Sequence, residues 1–243
     1  MRVKDVSLST PLENILFDDV LLSIAEAQES GEALRFWESQ EVFVVLGRIG
    51  KPDEDVKIDP VLTDNIKMLR RSSGGGTVLQ GRGCLNYTLV LSKERREIAD
   101  LKRSYQYILG KIIHALASLN VQCNYFPISD IALTENKKKI SGNAQKRGRR
   151  FIMHHGTLLI DFNLMLMEKY LTLPRDIPEY RKCRSHTDFI ANLNVLRDDL
   201  KESIQGVFHA SEIVTTLDER EQNMLGHLIK TRGEEVIVKT VRE

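Results

Sequence analysis

The stretch Arg70-Arg71-Ser72-Ser73-Gly74-Gly75-Gly76-Thr77-Val78 constrains this chain more than any other. Glycine gives up more backbone freedom on folding than any other residue, so three in succession carry an entropic cost that the fold must offset. A turn between two strands needs one or two glycines at positive φ, and no arginines. A backbone lying flat against a ligand needs bare N–H groups with cationic side chains beside them. The stretch alone leaves both readings open. Either way it is a loop that leads into a β-branched pair.

Around the loop the chain alternates between helical and strand periodicity. Thr10-Pro11-Leu12-Glu13 is a capping box with proline at the first helical position. Leu12, Leu16, Val20 and Ile24 then recur every four residues and predict a helix with one core-facing stripe, ending near Gly31. Residues 42–46 read as a buried strand that stops at Gly47. After a second turn, Gln80-Gly81-Arg82-Gly83, the run CLNYTLVLS alternates Leu85, Tyr87, Leu89 and Leu91 with Asn86, Thr88 and Val90, which is strand period. Residues 100–120 return to helix, with Leu101, Tyr105, Ile108, Ile112 and Leu116 on one face. Strands are expected at 131–133 and 151–160, helices at 163–170, 195–208 and 218–231, and a last strand at 235–241. Strands joined by short turns and mixed with isolated helices predict an α+β fold, with a mixed, largely antiparallel sheet flanked by helices. No repeat or linker divides the chain, so residues 1–243 are expected to form a single domain.

Composition narrows the function classes. Lys and Arg number 35 against 34 Asp and Glu, a net charge of +1, so no global field marks a nucleic-acid binder. The KKK and KRGRR clusters have no interleaved aromatic residues, which a single-strand binder would use for stacking. The start has no apolar run of signal-peptide type and no segment reaches bilayer length, so a cytoplasmic protein with no membrane partner is expected. Cys84, Cys123 and Cys183 are scattered without CxxC spacing, which argues against a disulfide framework or a zinc site.

Two further stretches carry chemistry. Lys139-Ile140-Ser141-Gly142-Asn143-Ala144 sets a lysine beside a small-residue turn. Lys137, Lys138, Arg147, Arg149 and Arg150 crowd the same region, so a solvated hairpin tip and a ligand-facing lysine are both open. In His154-His155-Gly156-Thr157-Leu158-Leu159 the adjacent histidines of a strand point to opposite faces and cannot share one metal. One is expected to face a ligand cavity while the other packs.

Taken in order, RRSSGGGTV, GCLNYTL, KKISGNAQ and HHGTLLIDF closely resemble the lipoate–protein ligase A family, within the wider biotin and lipoate ligase superfamily. The family pattern is roughly RRxSGGGxV, then LNxS, KxSGxA and HHGTLL. The resemblance implies a biotin/lipoate ligase-like catalytic domain that works in two steps. ATP activates lipoate or octanoate as an acyl-adenylate, and the acyl group then passes to a lysine of a lipoyl-acceptor domain. Acceptors of that kind are the 2-oxoacid dehydrogenase E2 subunits, the glycine cleavage H protein and similar carriers. Adenylation brings a carboxylate against a phosphate chain, so fixed cations and N–H donors must offset the repulsion.

By the same resemblance, Arg71, Ser73, Gly74, Gly75, Gly76 and Thr77 form the ligand loop, and Lys139 is the catalytic lysine at the acyl carbonyl and α-phosphate. Substrate and nucleotide binding would extend to Asn86, Ser141, Gly142, Asn143, Ala144, His155, Gly156 and Thr157. Asp130 aligns with a carboxylate that helps hold Mg²⁺, and one carboxylate suffices for Mg²⁺ bound with phosphates.

Departures from the pattern keep rivals in view. Ser129 replaces an asparagine, and Gln80-Gly81 stands where histidine and aspartate are common. The chain is too short for the C-terminal accessory domain of large bacterial ligases, so a separate small subunit would complete the enzyme, or none is needed. One rival is an octanoyl or lipoyl transferase working through a cysteine thioester, with Cys123 as its candidate nucleophile. Another is a non-catalytic lipoyl-binding subunit, which the retained Lys139 and glycine loop disfavour.

Overall fold

The computed structural model describes residues 1–127 and 129–239. The chain opens with β1 (Arg2–Asp5), α1 (Pro11–Glu26), β2 (Ala33–Trp37) and β3 (Phe43–Leu46). Two short helices, α2 (Pro52–Asp55) and α3 (Ile58–Thr63), precede β4 (Lys67–Arg70), β5 (Val78–Gln80) and β6 (Cys84–Ser92). Then come α4 (Leu101–Ser118), β7 (Cys123–Phe126), β8 (Asp130–Leu133), β9 (Lys139–Arg147) and β10 (Phe151–Leu159). The last part holds α5 (Met165–Tyr170), α6 (His186–Phe189), α7 (Arg197–Val207), β11 (Glu212–Val214) and α8 (Glu219–Val236).

The large sheet runs β11-β1-β2-β6-β10-β9-β8-β7, antiparallel except where β1 meets β11 and β2. Its centre is the pairing of β6 with β10 over their whole length, from Cys84 opposite Leu159 to Ser92 opposite Phe151. The alternation along β6 decides what each face meets. Leu85, Tyr87, Leu89 and Leu91 turn toward α4 and α7 and share a core with Ile112, Leu116, Leu200 and Ile204. Val90 turns to the other face with Met153, where α1 and α8 supply Leu16, Phe17, Val20, Leu225 and Leu228. Leu16, Phe17 and Val20 are fully buried, each contributing about 1.5–3 kcal/mol relative to exposure.

A smaller sheet, β4-β3-β5, lies beside the α1 face. Because β3 and β4 are parallel neighbours, with Leu46 opposite Arg70, their C-terminal ends deliver Gly47 and Arg71 side by side. The Arg71 N–H donates to the Leu46 carbonyl at 3.0 Å, and the glycine loop begins there. The α+β architecture and the largely antiparallel sheet agree with the sequence reading.

Several elements differ from expectation. No strand covers 235–239: α8 continues through Val236, held by an Asp218–Glu221 capping box and the packing of Leu225, Leu228 and Val236 against α1. Only Ile237 bridges to Leu69 of β4, and the Val238 N–H donates to Met68; residues 240 and 241 of the expected strand lie outside the described residues. The first helix stops at Glu26, before Gly31, with Gln28 in the left-handed region at φ 60°. The strands β1, β2, β4, β7 and β11 were not legible from periodicity, since each spans only three to five residues.

Candidate active site

The glycine loop is shaped by a buried arginine of its own. The Arg71 guanidinium donates through Nη2 to the carbonyls of Gly74 and Gly76, both at 2.7 Å, through Nη1 to Val45 at 3.3 Å, and through Nε to Ser73 Oγ at 3.0 Å. Burial lowers its pKa to about 10, so it is cationic at neutral pH. The carbonyls are thereby drawn inward, and among the described residues no hydrogen bond engages the N–H groups of Gly74, Gly75 and Gly76.

The three glycines are not equally constrained. Gly75 has φ +83°, and a Cβ there would sit 3.0 Å from Arg71 Nη2. At Gly74 and Gly76 a Cβ would meet no atom within 4 Å. The chain's own packing therefore requires glycine at 75 alone. Gly47 answers to the same loop, since its Cβ would fall 2.0 Å from the Gly75 carbonyl oxygen.

Beneath the loop, two adjacent carboxylates of α1 hold its two serines. Ser73 Oγ lies 2.6 Å from His155 Nε2, and His155 Nδ1 lies 3.3 Å from Asp18 Oδ2. The Asp18 carboxylate can only accept, so a neutral His155 carries its proton on Nδ1, facing Asp18, and its Nε2 accepts from the Ser73 hydroxyl. Asp18 also pairs with fully buried Arg35 at 2.7 Å and accepts from Thr88 at 2.8 Å. Burial alone would raise the Asp18 carboxyl, but Arg35 and His155 outweigh it and hold it below the ordinary carboxylate range. Asp19 accepts from Ser72 at 2.5 Å, from Lys146 at 2.8 Å and from Arg232 at 3.2 Å.

The opposite wall comes from β9 and β10. His155 pairs with Ala144 and Thr157 with Gly142, so these four share the face that meets the loop, with Asn86 and Thr88 of β6 in the same rows. Thr157 Oγ1 donates to Asn86 Oδ1 at 2.6 Å and accepts from Gln80 at 2.7 Å. Lys139 crosses Gly142, whose Cβ would lie 3.0 Å from its Nζ, and its ammonium rests on Asp130 Oδ1 at 2.8 Å. Thr77 turns to the rim and donates to Asp55 at 2.7 Å.

Three expected residues lie behind the sheet. Ser141, Asn143 and Gly156 occupy the α4 face by strand parity. There Asn143 donates to Ser141 Oγ at 3.2 Å and to the Ser129 carbonyl at 2.8 Å, and accepts from the Tyr87 hydroxyl. A Cβ at Gly156 would strike Asn143 Oδ1 at 1.9 Å. Their geometry supports the turn that presents Asp130. His154 also lies on this face, between Tyr87 and Tyr105, and burial drops its pKa to about 3.

Sequence reasoning missed Asp18, Asp19, Arg35 and Tyr180. The Tyr180 hydroxyl donates to Asp130 Oδ2 at 2.7 Å while its ring stacks on Phe126 at 4.4 Å. Both Asp130 oxygens thus have partners, and no group of three or more His, Cys, Asp or Glu residues is placed to hold a metal among the described residues. As a metal ligand Asp130 would offer one carboxylate, which would suit a cation held mainly by phosphate oxygens. Cys123 sits in the apolar core at the start of β7, and burial raises its thiol to about 11.

A family model described as the lipoyl protein ligase A/B catalytic domain matches residues 10–209. The chain belongs to this family. The chain is 29% identical over 171 residues to a lipoate-protein ligase A of Psychrobacter cryohalolentis, covering 70% of this chain and 47% of that protein. It thus spans about half the length of the curated relatives it matches. Its fold is shared with a bi-partite lipoate protein ligase of Thermoplasma acidophilum, solved in a study that also covers its E2 lipoyl domain, at TM-score 0.79, 20% identity and 100% coverage of both chains. A lipoate-protein ligase A bound with ATP gives TM-score 0.78 at 19% identity, over 95% of this chain and 94% of that one. In this lipoyl ligase family chain, no helix among the described residues is long and apolar enough to cross a membrane.

Proposed function

We propose that this chain is the catalytic unit of a lipoate–protein ligase, which activates lipoate or octanoate with ATP and hands the acyl group to a lysine of a lipoyl-acceptor domain. The observation that carries the reading is the loop of bare Gly74–Gly76 amides facing Lys139 across the floor of Gly142 and Ala144. An acyl carboxylate oxygen attacks the α-phosphorus of ATP, the bond to the β-phosphate oxygen breaks, and pyrophosphate leaves. The acceptor amine then attacks the acyl carbonyl, and AMP departs with the bonding pair. Negative charge shifts among the carboxyl and phosphate oxygens in both steps, which suits an ammonium on a flexible stem. Lys139 rests on Asp130, which keeps it aimed over Gly142 before substrate arrives. Asp130 would share Mg²⁺ with the phosphates, and that ion would supply further charge neutralisation when bound.

The cysteine transferase reading loses support from Cys123. With a pKa near 11, on the order of one thiol in 10⁴ is ionised at pH 7, and the side chain is buried among apolar neighbours. For the partner, an E2 subunit, an H protein or a similar carrier is the acceptor class, and a separate accessory subunit is proposed to complete the enzyme. The basic segment contributes less to docking than its charge suggests. Lys146 is engaged by Asp19, and Arg147 donates to the carbonyls of Ile98 and Ala99 at 2.7 and 3.0 Å. Lys137 and Arg149 are exposed and are the segment's candidates for meeting the acceptor.

The test is pyrophosphate release by purified protein with ATP and lipoate or octanoate, alone and with any small protein encoded beside it. ATP-dependent release by the wild type and by Cys123→Ala is expected. ATP-independent transfer from an acylated carrier, abolished in Cys123→Ala, would establish the transferase instead.

A further inference from the structure

The last helix and the two residues after it make contact beneath and just upstream of the glycine loop. Arg232, on α8, donates from Nη1 to Asp19 Oδ2 at 3.2 Å. The other oxygen of that carboxylate accepts from Ser72 and Lys146. One turn later, Ile237 bridges to Leu69 and the Val238 N–H donates to Met68 at 2.9 Å, which fastens the chain to β4 directly upstream of Arg70-Arg71-Ser72. A residue far from the loop in sequence is thus one hydrogen-bond step from it through a carboxylate only 4% exposed.

We infer that Arg232 is a positioning residue for the carboxylic-acid substrate, acting through Asp19 and Ser72 on the glycine loop. The carboxyl torsion of an aspartate is broad and roughly two-fold, so it is held most firmly when both oxygens accept hydrogen bonds. Among the described residues, Arg232 is the one donor on Oδ2, whereas Oδ1 carries two. Without Arg232 the carboxylate can turn to meet Lys146 alone, and Ser72 loses the fixed acceptor that sets the entry of the loop. Ser73 keeps its own tether to His155. The effect is therefore a loosened loop and weaker capture of the acid, with the reacting groups intact. This inference rests on the ligase reading for its kinetic arm, while its structural arm does not.

The structural arm is hydrogen–deuterium exchange of the peptide covering 70–79 in the full chain. Arg232→Gln is expected to speed its exchange by about tenfold, the size of one charge-assisted hydrogen bond to a buried carboxylate, with peptides of β6 and β10 unchanged. Arg232→Lys, which keeps the cation, is expected to restore most of the protection. The kinetic arm is the KM for lipoate in pyrophosphate release. Arg232→Gln should raise it about tenfold at nearly unchanged kcat, and should raise it less than about twofold when Ser72→Ala is already present, because both changes remove the same link. Unaltered loop exchange in Arg232→Gln overturns the inference. So does an equal KM effect with and without Ser72. A wild type that releases no pyrophosphate refutes the ligase reading, and the exchange arm still decides the role of Arg232.

Discussion

Gly74 and Gly76, the two glycines that the chain's own packing leaves unconstrained, flank Gly75 and offer a sharp experiment. Gly76→Ala adds a methyl where no protein atom lies within 4 Å, at a residue outside the positive-φ region. Folding alone predicts a neutral or stabilising change, about 0.4–1 kcal/mol from the reduced freedom of the unfolded chain. For a domain of this size that raises Tm by roughly 1–4 °C. Gly75→Ala is the control. Its φ of +83° and the Arg71 Nη2 atom 3.0 Å from the new Cβ add strain of about 1–2 kcal/mol, so its Tm falls by roughly 2–8 °C. If the amides of this loop lie against a ligand, the methyl of Gly76→Ala overlaps that ligand. Overpacking of this kind costs about 1–3 kcal/mol, or roughly 5- to 150-fold in affinity. Calorimetric titration with lipoate and a non-hydrolysable ATP analogue, alongside thermal unfolding of both variants, separates the two effects. Gly76→Ala should be stable and bind poorly. Native affinity in that variant, or a loss of Tm matching that of Gly75→Ala, would mean that the glycines serve only the turn.

Lys139→Ala should slow both half-reactions by about two to three powers of ten while Tm changes little, measured by pyrophosphate release and by transfer from preformed acyl-adenylate. Cys123→Ala should retain ATP-dependent activity within about threefold, since a buried thiol of pKa near 11 supplies little thiolate; the check is the same release assay. Asp18→Asn leaves the fully buried Arg35 without its counter-charge and should destabilise the fold by about 3–5 kcal/mol in urea titrations. The folded Asp18 carboxyl lies below its unfolded value of 3.8, so the wild type keeps this contribution above that pH and loses it as pH falls further. Acid unfolding curves of wild type and Asp18→Asn should accordingly begin to converge only as pH falls below about 3.8.

Where the sequence was legible, a single short-range rule was enough. The strands of Cys84–Ser92 and Phe151–Leu159 follow period 2, and the glycine loop announces itself because no element interior tolerates Gly74-Gly75-Gly76. The carboxylates beneath the loop were hidden by the stripe that revealed their helix. Leu12, Leu16, Val20 and Ile24 mark one face of α1, and Asp18 and Asp19 lie off that stripe. In the fold, α8 and the large sheet enclose both sides of that helix, and Ile15, Phe17, Leu21 and Leu22 are buried as well. Its signal was the scarcity of polar residues in ILFDDVLLSIA: a helix buried all round must pair its carboxylates. Tyr180 and Arg232 reach the site through tertiary contacts from segments whose local pattern says nothing about it. The placement of Ser141, Asn143 and Gly156 behind the sheet needed only strand parity. That rule separates His154 from His155, and it applies equally to the residues that follow.

The division of β9 and β10 into a loop-facing row and a rear row gives the chain an uneven tolerance to insertions and deletions. One residue gained or lost at the turn of residues 148–150 leaves every pairing from Lys146 opposite Met153 inward in place. One residue gained or lost between Gly142 and Ala144 turns the strand over beyond that point, sending Asn143 or Ser141 into the site and Ala144 or Gly142 out of it. Length variation in natural or engineered versions of this hairpin should therefore collect at its tip. Point substitutions that reshape the loop-facing wall should fall at positions 142, 144, 155 and 157, one step apart from those that merely hold it.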